Sequence, residues 1–144
     1  TTPEALTPTM QVMARFWITP TNTWEAPMAV TDGSHAVMDP AAAFVGDNGH
    51  ALLVWSENPM TEAEDTAAGD DLSAILARQE IYYAYWNGTT WSAPIRFTDD
   101  TLSDGRAALA GDALARGGRR LVVCSHARSS GALSRSEAVE KCWS

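Results

Sequence analysis

The chain has almost no cysteine, very few bases in its first two thirds, and no long apolar run. Cys124 and Cys142 are its two cysteines, at a spacing that fits no metal or redox motif. Cys124 closes the apolar run 121–123 and reads as a small buried hydrophobe, with a Cys124–Cys142 disulfide as the alternative in an oxidising compartment. No apolar stretch approaches the roughly 20 residues of a spanning helix, so no membrane span is expected. Residues 1–95 carry 12 acids against two bases, Arg15 and Arg78, while residues 96–144 carry 6 acids and 8 bases. The net charge of −8 argues against nucleic acid as a partner, because that surface must be basic. The asymmetry reads as a solvated acidic loop, or as opposite-sign patches that steer copies of the chain together. His35, His50 and His126 form no His-x-His or helical pair, so neither a metal nor a cofactor is expected. An initial Met and a signal peptide are also lacking, which leaves a mature product, an expressed segment or a piece of a longer chain.

What is there suits a folded domain. At 144 residues, 45% hydrophobic and 19% charged, the chain can bury a sizeable core. Residues 81–98, IYYAYWNGTTWSAPIRFT, set two β-rich runs around Asn87-Gly88. Asn-Gly in that setting signals a type I′ hairpin, whose two central residues need positive φ. Residues 12–31 have the same shape, with Trp24-Glu25-Ala26-Pro27 matching Trp91-Ser92-Ala93-Pro94 and Thr31-Asp32 matching Thr98-Asp99.

In chain order, residues 1–9 read as an extended lead-in and Met10–Ile18 as a strand that turns at 20–23 and returns over 24–31. A loop over 32–39 precedes short strands at 41–45 and 51–56 around the turn Gly46-Asp47-Asn48-Gly49. Residues 57–79 hold six acids before the first base, Arg78, and read as a mobile acidic insertion. The spacing of Leu72, Ile75, Leu76 and Gln79 predicts one short helix, capped by Asp70 or Asp71, and no other helix in the chain. An Asp-rich turn over 99–105 follows the hairpin, where Asp99, Asp100 and Asp104 read as turn formers rather than calcium ligands. Residues 107–110 and 119–125 then repeat the pattern of 41–56, and residues 138–143 read as a last strand.

The copies superpose. Trp24 to Trp91 and Thr31 to Thr98 are both 67 residues apart, while Trp17 to Trp86 and Ser56 to Ser125 are both 69. Trp143 takes the place of Trp86 in a third, partial copy. Four antiparallel strands at a fixed period predict an all-β chain of β-propeller-like blades. About two and a quarter repeats are present: 10–31 the outer half of one blade, 40–98 a complete blade, 107–143 the start of the next, together an incomplete ring. With its end faces open, such a segment is expected to meet a protein partner or its own copies head to tail.

The pattern resembles the blades of bacterial sialidase-like propellers, in which a Gly-containing turn followed by Trp joins the third and fourth strands. Asn87-Gly88-Thr89-Thr90-Trp91 occupies that place without the family's Ser-x-Asp-x-Gly spacing, and residues 20–24 lack the Gly. The resemblance implies a secreted or surface protein. Sialidases use an arginine cluster, a Tyr nucleophile with a Glu partner, and an Asp acid/base drawn from several blades. Here 93–97 (Ala-Pro-Ile-Arg-Phe) is not the family's Arg-Ile-Pro motif, and two blades cannot supply the set, so no catalytic residue is assigned. Ser34-His35 beside Asp32 makes no triad, since sequence neighbours do not give the nucleophile–base–orienter geometry.

Three functions follow as expectations: a non-catalytic scaffold or protein-binding segment, a carbohydrate-binding propeller, and a fragment of a sialidase-like glycoside hydrolase. The second makes Trp17, Trp86 and Trp143 the ligand-binding candidates, because an exposed indole stacks on a sugar ring. The first buries Trp24 and Trp91, at the post-turn position, against neighbouring strands.

Overall fold

The computed structural model describes residues 10–46, 48–105, 107–109, 114–115 and 119–127. The predicted strand at 138–143, the lead-in, Cys142 and Trp143 lie outside these residues. Alternation shapes the first strand. β1 (Met10–Ile18) buries Val12, Ala14 and Phe16 and turns Met13, Arg15 and Trp17 to its other side, the period-2 pattern of a strand with one covered face. The short strands β2 (Thr23–Trp24) and β3 (Met28–Ala29) both return along it.

The next four strands are β4 (Ala36–Val45), β5 (His50–Asn58), β6 (Glu80–Trp86) and β7 (Ile95–Arg96). They form one antiparallel sheet in that order. β8 (Leu114–Ala115) and β9 (Arg119–Ala127) join β1 instead, giving a second antiparallel sheet in the order β2-β1-β9-β8 with β3 also on β1. The described fold is therefore mainly antiparallel β. Segments 10–31 and 107–127, expected in separate repeats, share one sheet through the full-length β1–β9 ladder.

Three local expectations are corrected. A second helix is present: α1 (Glu62–Ala68) precedes α2 (Leu72–Leu76). Its start is a capping box, the Thr61 hydroxyl accepting from the Glu64 N–H while the Glu64 carboxylate accepts from the Thr61 N–H. Asp71 caps α2 by accepting from the Ser73 and Ala74 N–H groups. The 81–98 hairpin has no type I′ turn: among these residues only Gly88 has positive φ, at 96°. The Asn87 side chain accepts from the N–H groups of both Thr89 and Thr90, which makes a four-residue loop closed by the Trp86–Trp91 bridge. Finally, β4 begins at Ala36 rather than beyond residue 39. It passes Pro40 by a register shift between Met38 and Ala41, with Asp39 at φ 51°, so the missing proline N–H costs the ladder a bulge and not the strand.

The sequence repeat is a structural repeat. Trp17 lies 69 residues before Trp86 and Arg120 lies 69 after Ala51, and the ladders pair Trp17 with Arg120 and Trp86 with Ala51. The loop bonds repeat too. The Thr31 hydroxyl accepts from the Val12 N–H at 2.9 Å, and the Thr98 hydroxyl from the Ile81 N–H at 2.9 Å. Likewise Val30 N–H donates to the Val12 carbonyl and Phe97 N–H to that of Ile81, both at 2.8 Å. The change of period from 69 to 67 has a simple cause. The first turn puts six residues between Trp17 and Trp24, with Asn22 at φ 55°, where the second puts four between Trp86 and Trp91.

The two sheets stack with opposite faces touching. The β1–β9 sheet contributes Val12, Ala14 and Phe16, and the β4–β7 sheet contributes Ala51, Leu53, Trp55, Ala84 and Trp86, together forming the core. Phe16 stands 4.9 Å from Trp86 and 6.2 Å from Phe44, ring centre to ring centre. By the repeat, Val12, Ala14 and Phe16 correspond to Ile81, Tyr83 and Tyr85, which lie on the far side of the second sheet. The contact is front face on back face, as in a stack of like units, rather than a symmetric sandwich.

Candidate functional site

The three candidate tryptophans separate. Trp86 is 3% exposed, wedged between Phe16 and Trp91, so it belongs to the core and not to a sugar platform. Trp17 is half-buried on the opposite face of β1 and meets Trp24 edge-on at 5.0 Å. Trp143 lies outside the described residues. At the post-turn position Trp91 is half-buried against Trp86, whereas Trp24 is 38% exposed. Trp24 ends a two-residue strand at the sheet edge, where Arg15 and Trp17 lie against it. The Arg15 guanidinium sits 4.9 Å above the Trp24 ring, anchored by a bond from Nε to the Glu25 carbonyl at 2.9 Å. One face of the most exposed indole among the described residues is thus taken by a cation. The indole N–H groups of Trp86 and Trp91 are buried and reach no acceptor among the described residues, so the two side chains meet by ring packing, beside the backbone bridge that joins the residues.

A polar network at the other end of β5 and β6 carries more chemistry, and local patterning does not mark it. Glu57 and Glu80 are register partners and both are buried, at 7% and 0% exposure. Glu57 accepts from the Trp55 indole N–H at 2.7 Å and pairs with His35 Nδ1 at 2.7 Å. Glu80 accepts from Arg96 at 2.8 Å, from the Thr98 hydroxyl, and from the Asp100 N–H at 3.3 Å, while Arg96 also meets Asp99 at 2.8 Å. Burial pushes the Glu80 carboxyl up, but the Thr98, Arg96 and Asp100 donors outweigh it and hold the group below the usual carboxylate range. Tyr82 stacks on Trp55 at 6.3 Å, and burial first, then the Glu57 charge, raises its hydroxyl above the usual tyrosine range. A cavity of about 320 Å³ opens beside this network, walled by Arg78, Arg96 and Asp100. With its acceptors occupied by neighbours on the chain, the network fixes the 98–104 turn. The one cue in sequence is the repeated Thr-Asp after the post-turn strand, which places Thr98 beside Glu80.

Ser34, Asp32 and His35 do not act together. Asp32 accepts from the Ser34 hydroxyl at 2.6 Å and from its N–H, and these bonds hold its carboxyl below the ordinary value, while His35 turns away to Glu57. No helix of the described residues is long and apolar enough to cross a membrane.

The third feature is the back of the β4–β7 sheet, largely uncovered among the described residues. Leu52, Val54, Ile81, Tyr83 and Phe97 floor a cavity of about 320 Å³, roofed on one side by residues 107–109. Phe97 is 73% exposed there, edge-on to Tyr83 at 6.3 Å. At the turn end of the same face, the Tyr85 hydroxyl hydrogen-bonds to His50 Nδ1. This face is the repeat counterpart of the one that Val12, Ala14 and Phe16 bury. Set against known proteins, the chain matches no family model, no curated protein and no solved structure.

Proposed function

We propose that this chain is a non-catalytic β-propeller-type repeat segment that serves as a scaffold or protein-binding module of a secreted or surface protein. The observation that supports it is the front-on-back stacking of the five-stranded β1–β9 sheet on the four-stranded β4–β7 sheet, with the back of the second apolar and open among the described residues. Stacking of that kind extends by adding like units and gives an interaction surface at the end of the stack. The buried carboxylates favour the same reading, since Glu57 is occupied by Trp55 and His35, and Glu80 by Arg96, Thr98 and Asp100.

A carbohydrate-binding reading keeps one specific support, the exposed Trp24 beside Arg15 and Trp17. A glycan array with the intact protein tests the two. The scaffold reading expects no glycan signal and a protein destabilised by Trp86→Ala. Sugar binding at micromolar strength, lost on Trp24→Ala or Trp17→Ala while the fold persists, would replace it with the lectin.

A further inference from the structure

We propose that copies of this chain exchange their C-terminal arms: β9 of one copy pairs with β1 of the next, and the composite sheet so formed stacks on the open back of the first copy's β4–β7 sheet. This rests on the repeat-stack reading above and names the partner of its open face.

Three observations carry it. First, the β1–β9 ladder joins segments from opposite halves of the chain, nine register pairs from Met10–Ala127 to Ile18–Arg119. An antiparallel ladder is unchanged whether its two strands come from one chain or two, so exchange keeps every backbone bond of that sheet. Second, the back of the β4–β7 sheet is the counterpart of the back of β1. Val12, Ala14 and Phe16 correspond to Ile81, Tyr83 and Tyr85, and the Thr31–Val12 and Thr98–Ile81 bonds show that the two sheets place these residues alike. The first back face is covered by a β4–β5 pair together with a β6 strand; among the described residues the second has no such cover, and Phe97 is 73% exposed there.

Third, the chain already starts to cover it. Residues 107–109 lie on this face and line its cavity. The ladders set Leu114 opposite Arg120 as Phe44 is set opposite Ala51, so residues 107–109 correspond to 37–39, where Val37 of β4 packs in the core beneath the first back face. Residues 107–109 therefore stand where the first strand of a third stacked sheet begins, and β8 and β9 are the β4 and β5 of that sheet. Its remaining strands, the counterparts of β6 and β7, are β1 and β2 of a second copy. Because each copy presents one arm and accepts another, the contact is heterologous and propagates head to tail until it closes on itself.

The register gives a direct test. Met13 and Cys124 are cross-strand partners, and opposed residues of an antiparallel pair lie within disulfide range. Met13→Cys in a Cys142→Ser background is oxidised at high protein concentration, resolved on a non-reducing gel and weighed by light scattering. The expected result is chain-to-chain disulfides and a mass that is a whole multiple of 15.5 kDa. A disulfide within single chains of monomeric mass overturns the exchange. It leaves the repeat-stack reading intact, because that reading rests on stacking within one chain and fails instead on glycan binding. Phe97→Asp, at an exposed site, supplies a second reading that needs no new cysteine. It is expected to return the protein to monomeric mass with its melting temperature kept, and an assembly of unchanged mass overturns the proposal.

Discussion

Glu57 and Glu80 face each other across β5 and β6, both buried, and each holds its own set of donors. Like charges directly opposed on a sheet repel, so the pair persists because Trp55 and His35 serve one carboxylate and Arg96, Thr98 and Asp100 the other. The Glu80 pKa is lowered on folding. A depressed carboxylate contributes stability that is present above the unfolded value, about 4.5, and is lost as pH falls through the folded one. Glu80→Gln is therefore expected to cost about 1–3 kcal/mol near neutral pH, the range for disturbing a buried polar group. The gap between variant and wild type should close as pH drops below about 4.5. Urea melts across pH 3–7 check this, and a gap that widens on acidification would exclude Glu80 as the group responsible.

Phe16 bridges the two sheets, with Trp86 at 4.9 Å and Phe44 at 6.2 Å, and is fully buried. Phe16→Ala is expected to cost about 3–5 kcal/mol, the usual price of deleting a buried aromatic. Trp24→Ala, at the exposed edge, should cost less, about 1–2 kcal/mol, since it removes the cation–π contact to Arg15 and the ring contact to Trp17 from a partly exposed site. Denaturant melts of the two variants give the comparison, and equal losses would mean that the edge of the sheet is as tightly packed as its centre.

Much of this fold was legible in the sequence. β1 came from alternation alone, and the repeat from Trp17, Trp24 and Thr31 recurring as Trp86, Trp91 and Thr98, because packing positions must recur wherever like sheets stack. What misled was local chemistry with two outcomes. Asn-Gly suits a type I′ turn, but an Asn side chain can also cap two following N–H groups, and with Thr89 and Thr90 behind it Asn87 does so. The run of acids at 57–71 suggested solvated coil, yet Thr61-x-x-Glu64 is a helix start that outweighs charge density. The pairing of β1 with β9 and the Glu57–Glu80 network depend on which strands become neighbours across the chain, and no local pattern encodes that.

The helix that the acids hid is a separable unit. α1 buries no residue, and Arg78–Glu64 at 3.2 Å is an exposed ion pair. Thr61→Ala should cost the helix about 1 kcal/mol by removing its cap and leave the global melting temperature nearly unchanged. Replacing residues 60–69 with a short Gly/Ser linker should also move it little, because closing a surface loop of different length changes the entropy only slightly. Amide exchange over 62–68 set beside a thermal melt separates the two effects. A drop of several degrees for the linker variant would show that the segment packs on the body of the fold.

Thr31 and Thr98 make the same bond in the two sheets, yet they are not equivalent, and the difference can be measured. Each hydroxyl accepts from a strand N–H, that of Val12 or Ile81, at 2.9 Å. Thr98 also donates to Glu80, whereas the counterpart of Glu80 is Gln11, whose amide reaches the Thr31 carbonyl instead. Thr31→Val, which keeps the shape and deletes the hydroxyl, should cost about 1–2 kcal/mol for the stranded N–H. Thr98→Val strands an N–H and also takes a donor from a buried charge, so it should cost more. A double-mutant cycle of Thr98→Val with Glu80→Gln is expected to give a coupling of about 0.5–3 kcal/mol, as for neighbours in one hydrogen-bond network. The cycle of Thr31→Val with Gln11→Ala should give a smaller coupling, since the Gln11 amide bonds the Thr31 carbonyl, which the substitution keeps. Equal couplings in the two repeats would mean that the Glu80 carboxylate draws nothing from Thr98 and that Arg96 and the Asp100 N–H keep it ionised.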